Sequence, residues 1–161
     1  MKTEVSGNEL TTTFLIDLLV ELDQPLVIGD GPFGRRVLFR SAGGSFEGPD
    51  MRGKVLPGAG DWALFRPDGS MTLDVRLTLC TYDDALIHLT YSGRLIIPPE
   101  LSADLADPVK RVGIDPSRYY FRTSPIFETG SKKYSWLNDI VCVGLGYFFD
   151  GGVGYQIFRV N

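Results

Sequence analysis

Three stretches of this sequence carry side chains able to move protons or orient an oxygenated molecule. In the first, Asp74, Arg76 and His88 fall on one face of a strand pair. A histidine beside an arginine and a carboxylate can transfer protons near neutral pH. The alternative is a solvated outer face, with the leucines of the same strands turned inward. The second stretch is GAGDWALFRPDG, where Asp61-Trp62 opens a strand between Gly60 and Gly69. There a tryptophan can stack on a flat ligand while the neighbouring carboxylate acts as a base. The alternative is a core tryptophan beside a turn aspartate. The third is YYFRTSPIFETGSKKYSWLND, in which Tyr119, Phe121, Phe127, Tyr134 and Trp136 alternate with Arg122, Glu128 and Asn138. It reads as pocket lining or as a heavy β core. Pairing Asp61 or Glu128 with a second carboxylate, as in a glycosidase, needs a separation that sequence does not supply.

The elements that position these residues are short and extended. Nineteen glycines and ten prolines punctuate the chain. Between them, runs with period-two alternation predict strands at 14–22, 36–40, 44–47, 53–56, 62–65, 71–80, 85–95, 119–122, 134–149 and 153–160. FLIDLLVEL, the first run, also fits a turn or two of helix. Residues 97–116 break the pattern with Pro98-Pro99, Asp107-Pro108 and Pro116. This predicts a long Pro-rich excursion with one helical turn near Leu101–Leu105, of the kind that serves as a lid. The hairpin between residues 71 and 95 can be read in register. A three-residue loop, Tyr82-Asp83-Asp84, sets Thr78 against His88, Arg76 against Thr90 and Leu77 against Leu89. A two-residue loop would oppose polar to apolar faces.

The run LVIGDGPFGRR contains a literal G-x-G-x-x-G, Gly29 to Gly34. A dinucleotide loop must open a helix whose N–H groups hold the pyrophosphate. Here Arg36–Arg40 reads as strand, ended by Gly43-Gly44, and Pro32 lacks an N–H. The stretch is therefore a glycine-rich connection between two strands. His88 is the only histidine, which excludes a His-rich zinc site. Cys80 and Cys142 lack metal-site spacing and read as reduced thiols. No phosphate loop, G-x-S-x-G elbow or thiol motif is present. No metal or cofactor is expected. Net charge −4 argues against nucleic acid or an anionic membrane as partner. With no signal-like segment and no apolar run of about 18 residues, a cytoplasmic location is expected.

GPFGRR, GGSFEGPDMRGKVLPGAGDW, RPDGSMTLDVRLTL, DDALIHLTYSG, YYFRTSPIFETGSKKYSWLND and the closing VGYQIFRV together resemble the domain of unknown function 3237 family, in order, from about Phe14 to Val160. The resemblance implies a small closed barrel similar to the allene-oxide-cyclase type, also lipocalin-like, with a ligand-sized interior. It implies activity of the cofactor-independent cyclising or dehydrating kind found in some natural-product relatives. Matched positions are Arg36, Glu47, Asp61, Trp62, Asp74, Arg76, Glu128, Trp136 and Asn138. The chain departs from the family pattern at Gly58–Trp62, at Asp83-Asp84 where Asp-Gly is usual, and at Arg76-Leu77 where Arg-Tyr is frequent.

Composition, alternation and resemblance converge on an all-β protein, one closed antiparallel barrel over residues 1–161. The expected ligand is a hydrophobic, oxygenated small molecule inside it. Trp62, Trp136 and Tyr91 are expected to supply apolar contact, and Arg36, Arg76, Glu128 and Asn138 polar contact. The expected chemistry is ring closure, double-bond migration or loss of water by an isomerase or lyase. Asp61 removes a proton, Arg76 or Asn138 steadies the enolate oxygen, and His88 returns the proton. A carrier with the same pocket and no turnover is the competing class. A titratable group beside an oxyanion donor inside the pocket separates the two. A homo-oligomer is a further expectation.

Overall fold

The computed structural model describes residues 9–161; the first eight residues of the expected domain lie outside the described part. Ten strands form a single antiparallel sheet that closes on itself: β1 (Thr12–Leu22), β2 (Leu26–Gly31), β3 (Gly34–Glu47), β4 (Arg52–Val55), β5 (Gly60–Phe65), β6 (Met71–Thr81), β7 (Leu86–Ile96), β8 (Tyr120–Glu128), β9 (Cys142–Phe149) and β10 (Gly152–Val160). Around the circumference β1 is followed by β10, β9, β8, β7 and β6, then β4 and β5 end to end, then β3, which pairs back to β1. The result is a closed eight-stranded antiparallel barrel. β2 hangs outside that circuit on the first half of β3.

Alternation dictates what points inward. On β6, Met71, Leu73, Val75, Leu77 and Leu79 are buried while Asp74 and Arg76 are exposed. β7 repeats this, with Ile87, Leu89, Tyr91 and Leu95 inside. Thr78 faces His88, Arg76 faces Thr90 and Leu77 faces Leu89, the register the three-residue loop requires. Asp84 closes that loop in the left-handed region at φ 63°, the conformation a three-residue hairpin places at its last loop residue. One half of the barrel is filled by Ile16, Leu18, Phe46, Leu79, Ile87, Leu89, Phe127 and Ile157, which are close to fully buried. That filling makes one end solid, and the space lies toward the other.

Several sequence expectations are corrected. Gly43-Gly44 does not end a strand. Both take positive φ, and a Cβ on Gly44 would run into the Leu19 carbonyl. The pair instead lets β3 continue while it exchanges β2 and β5 for β1 and β4 as neighbours. The run 134–149 is not one strand. Ser135–Asp139 forms a 3₁₀ turn that tucks Leu137 into the core, and extended chain begins only at Cys142. The strand expected at 119–122 runs on to Glu128. FLIDLLVEL is strand throughout, because its alternate residues Ile16, Leu18 and Val20 face the core. The G-x-G-x-x-G run is the β2–β3 hairpin, with no helix after it. Residues 97–116 carry the 3₁₀ turns Pro99–Leu101 and Arg111–Gly113 and a five-residue helix, α1 (Ser102–Ala106). Cys80 and Cys142 are free thiols. No helix among the described residues is long and apolar enough to cross a membrane.

Candidate active site

The barrel encloses a cavity of about 660 Å³, within the range of small-molecule sites. Its wall is largely aliphatic and aromatic: Leu73, Val75, Leu77 and Leu95 from β6 and β7, with Phe39 from β3, Phe121 from β8 and Phe148 from β9. Pro99, Ser102, Leu105, Ala106 and Arg111 of the excursion also line it, so that segment roofs the open end. Leu101 and Leu105 bury themselves against the core and tie the roof down.

Into this apolar space β5 projects Asp61. The strand alternates, and its register with β6 sets Asp61 opposite Val75 and Phe65 opposite Met71. Asp61, Ala63 and Phe65 therefore share the inner face with the β6 leucines. Asp61 Oδ1 accepts the Asp74 backbone N–H at 2.9 Å. Oδ2 has no hydrogen-bond partner among the described residues. Burial pushes the carboxyl up to about 6 from its ordinary 3.8. The Asp74 N–H opposes this, the Asp74 charge adds to it, and the Arg36 charge opposes it. Such a carboxylate is mostly ionised at pH 7 yet basic enough to take a proton.

Two phenols complete the group. Tyr91 on β7 lies opposite Val75, so Asp61, Val75 and Tyr91 form one row across three strands, about 10 Å of backbone. Tyr155 reaches in from β10 on the other side. Its ring meets Tyr91 edge-on at 5.1 Å between centroids and Phe121 at 5.4 Å. Burial raises both phenol pKa values; Tyr91 is raised further by the neighbouring Tyr155 hydroxyl and then by the Asp61 charge, and Tyr155 by the Asp61 charge, which its interaction with Tyr91 opposes. Both stay protonated at neutral pH.

Of the residues singled out from sequence, the structure brings Asp61 and Tyr91 together at the cavity. The others stand elsewhere. Arg76 and His88 occupy outward positions of β6 and β7 and are exposed. Arg76 is ion-paired with Asp74 at 3.1 Å. Neither can reach Asp61 through the sheet, so the proton-return and oxyanion roles expected of them fall away. Glu128 pairs with His88 on the same outer face. Trp62 points outward beside Leu38, and Arg36, opposite Leu64 on that face, donates Nη1–H to the Trp62 carbonyl at 2.7 Å. Trp136 packs on the core from the 3₁₀ turn at the solid end. Asn138 is spent on backbone there, accepting from Thr129 N at 2.8 Å and donating to Thr129 O at 3.0 Å. Tyr155 and Arg111 were not anticipated. The alternation of Val153, Tyr155 and Ile157 carried a signal for the first; nothing periodic marks the second.

The fold and the cavity define a class: small closed β-barrels with one roofed, mostly apolar chamber and a few polar groups inside. Within that class, the chain belongs to the DUF3237 family, described as a protein of unknown function, whose model matches residues 10–160. It is 36% identical over 137 residues to a UPF0311 protein of Clostridium acetobutylicum, covering 84% of each chain. A β-barrel-like protein of Acinetobacter baumannii superposes with a TM-score of 0.82 at 30% identity, over 98% of this chain and 100% of that one. At 19% identity and a TM-score of 0.73, an enzyme from Penicillium herquei matches over 99% of this chain and 100% of its own, a likeness of fold.

Proposed function

We propose that the protein is a cofactor-independent acid–base catalyst acting on a hydrophobic, oxygenated small molecule held in the barrel. The observation that carries this is Asp61, a carboxylate with a pKa of about 6 facing an apolar cavity that it shares with two protonated phenols. A chamber lined only by Leu, Val and Phe would suit a carrier. A titratable base beside oxyanion donors is the arrangement that proton abstraction next to a carbonyl requires. Asp61 Oδ2 takes the proton. The Tyr155 or Tyr91 hydroxyl donates to the enolate oxygen that develops. Asp61 then returns the proton elsewhere on the molecule, giving double-bond migration, or delivers it to a departing hydroxyl, giving loss of water. Ring closure follows when Asp61 deprotonates an internal hydroxyl that adds to a double bond conjugated with the carbonyl: the C–O bond forms as the C=C π bond breaks into the enolate, and Asp61 returns the proton to carbon.

The test is to incubate a small-molecule extract of the producing cells with wild-type protein and with Asp61→Asn, and to compare the two by mass spectrometry. Native mass spectrometry on the same samples reports what is bound. A compound converted by wild type into an isomer, or into a product lighter by one water, and left intact by Asp61→Asn supports the reading. A compound that binds both proteins and is recovered unchanged from both overturns it in favour of a carrier.

A further inference from the structure

Arg111 brings a positive charge to the roof of the cavity. It lies in the 3₁₀ turn Arg111–Gly113, and its side chain is part of the lining. Its guanidinium sits over the Phe148 ring, 5.6 Å from the centroid. Its Nε is buried and, among the described residues, has no hydrogen-bond partner. Among the described residues no carboxylate pairs with it. The neighbouring acid Asp104 is engaged by Lys110 at 3.0 Å, and Asp107 accepts from the backbone N–H groups of Val109 and Lys110. The other cation of the lining, Arg66, is already engaged: Nε donates to Ser70 Oγ at 2.7 Å, and its guanidinium lies 3.5 Å from Asp68. A buried guanidinium N–H without an acceptor is unfavourable, and an oxyanion satisfies both its charge and its planar donor geometry. Asp61 sits in the opposite wall. A ligand entering acid-first toward Asp61 would meet like charge, so the two groups also fix a direction.

We infer that the ligand of this cavity is an apolar molecule with one ionised acidic group, a carboxylate or its equivalent. Arg111 holds the anion under the roof, and the uncharged oxygenated end lies toward Asp61, Tyr91 and Tyr155. This rests on the reading of the cavity as a ligand site and adds the class of ligand and its orientation. The roof residue acts in binding and polarity selection, not in the proton transfer.

Two fluorescent probes with the same aromatic frame test it: 1-anilinonaphthalene-8-sulfonate, which is anionic, and N-phenyl-1-naphthylamine, which lacks the sulfonate. Each is titrated against wild type, Arg111→Met and Arg111→Lys. Wild type is expected to bind the anionic probe at least about tenfold more tightly than the neutral one, the size of one charge-assisted hydrogen bond. Arg111→Met abolishes that preference, while continued binding of the neutral probe and an unchanged far-UV circular-dichroism spectrum report an intact barrel. Arg111→Lys retains part of it. If wild type binds the neutral probe but shows no preference, or if the preference survives in Arg111→Met, the inference is overturned while the cavity reading stands. If neither probe binds any of the three proteins, the cavity reading fails and this inference falls with it.

Discussion

Replacing Asp61 by asparagine should make the protein more stable at neutral pH while removing its proposed chemistry. The carboxyl titrates near 6 in the folded state against 3.8 ordinarily, so the folded protein holds this proton more tightly than the unfolded chain does. The stabilisation from that proton is full below pH 3.8. It is lost as pH rises toward 6, and above 6 the ionised group is a constant burden. At 1.36 kcal/mol per pH unit the difference corresponds to about 3 kcal/mol. Water inside the chamber and relaxation of the wall reduce this to about 2 kcal/mol. Asparagine is nearly isosteric, and its Oδ1 can still accept the Asp74 N–H. Asp61→Asn should therefore raise the melting temperature at pH 7.5 by roughly 4–8 °C, given about 2–4 °C per kcal/mol at this chain length. The gain should shrink through pH 5–6 and vanish near pH 4. Thermal unfolding of both proteins across pH 4 to 8 gives the answer. A variant no more stable than wild type at pH 7.5, or a gain that does not diminish with acidification, would refute the claim that burial dominates at Asp61.

On the outer face the expectation is opposite. Arg76→Met and His88→Ala should each change stability by less than about 0.5 kcal/mol, since both side chains are exposed, and should leave neutral-probe affinity unchanged; a loss of binding would show that the outer face communicates with the chamber. Asp84→Gly should stabilise by about 0.5–1 kcal/mol in urea unfolding, because Asp84 sits at φ 63° where glycine pays no Cβ penalty. Asn138→Leu should destabilise by about 1–3 kcal/mol in the same assay, because the Thr129 N–H and C=O lose their side-chain partner; cavity binding, at the other end of the barrel, should survive.

Much of the wall could be read from the chain alone, because strand side chains alternate with a period of two. Leu73, Val75, Leu77 and Leu79 had to share a face, and the facing leucines of β7 then fixed the hairpin register to the residue. The helix that a dinucleotide loop needs was already excluded by Arg36–Arg40. Period two, however, assigns residues to two faces without saying which one turns inward at a polar position. Asp61 goes inside only because β5 lies beside β6 with Asp61 opposite Val75. Arg76 and His88 go outside because the leucine face of the same strands fills the barrel. Closure, a relation between strands distant in sequence, set Tyr155 of β10 against Tyr91 of β7. The aromatic-rich segment after Glu128 turned into a 3₁₀ plug at the solid end, where Leu137 found a place in the core. Arg111 lies in an aperiodic excursion, where no local pattern predicts direction. Only the packing of Leu101 and Leu105 onto the core brings it over the cavity.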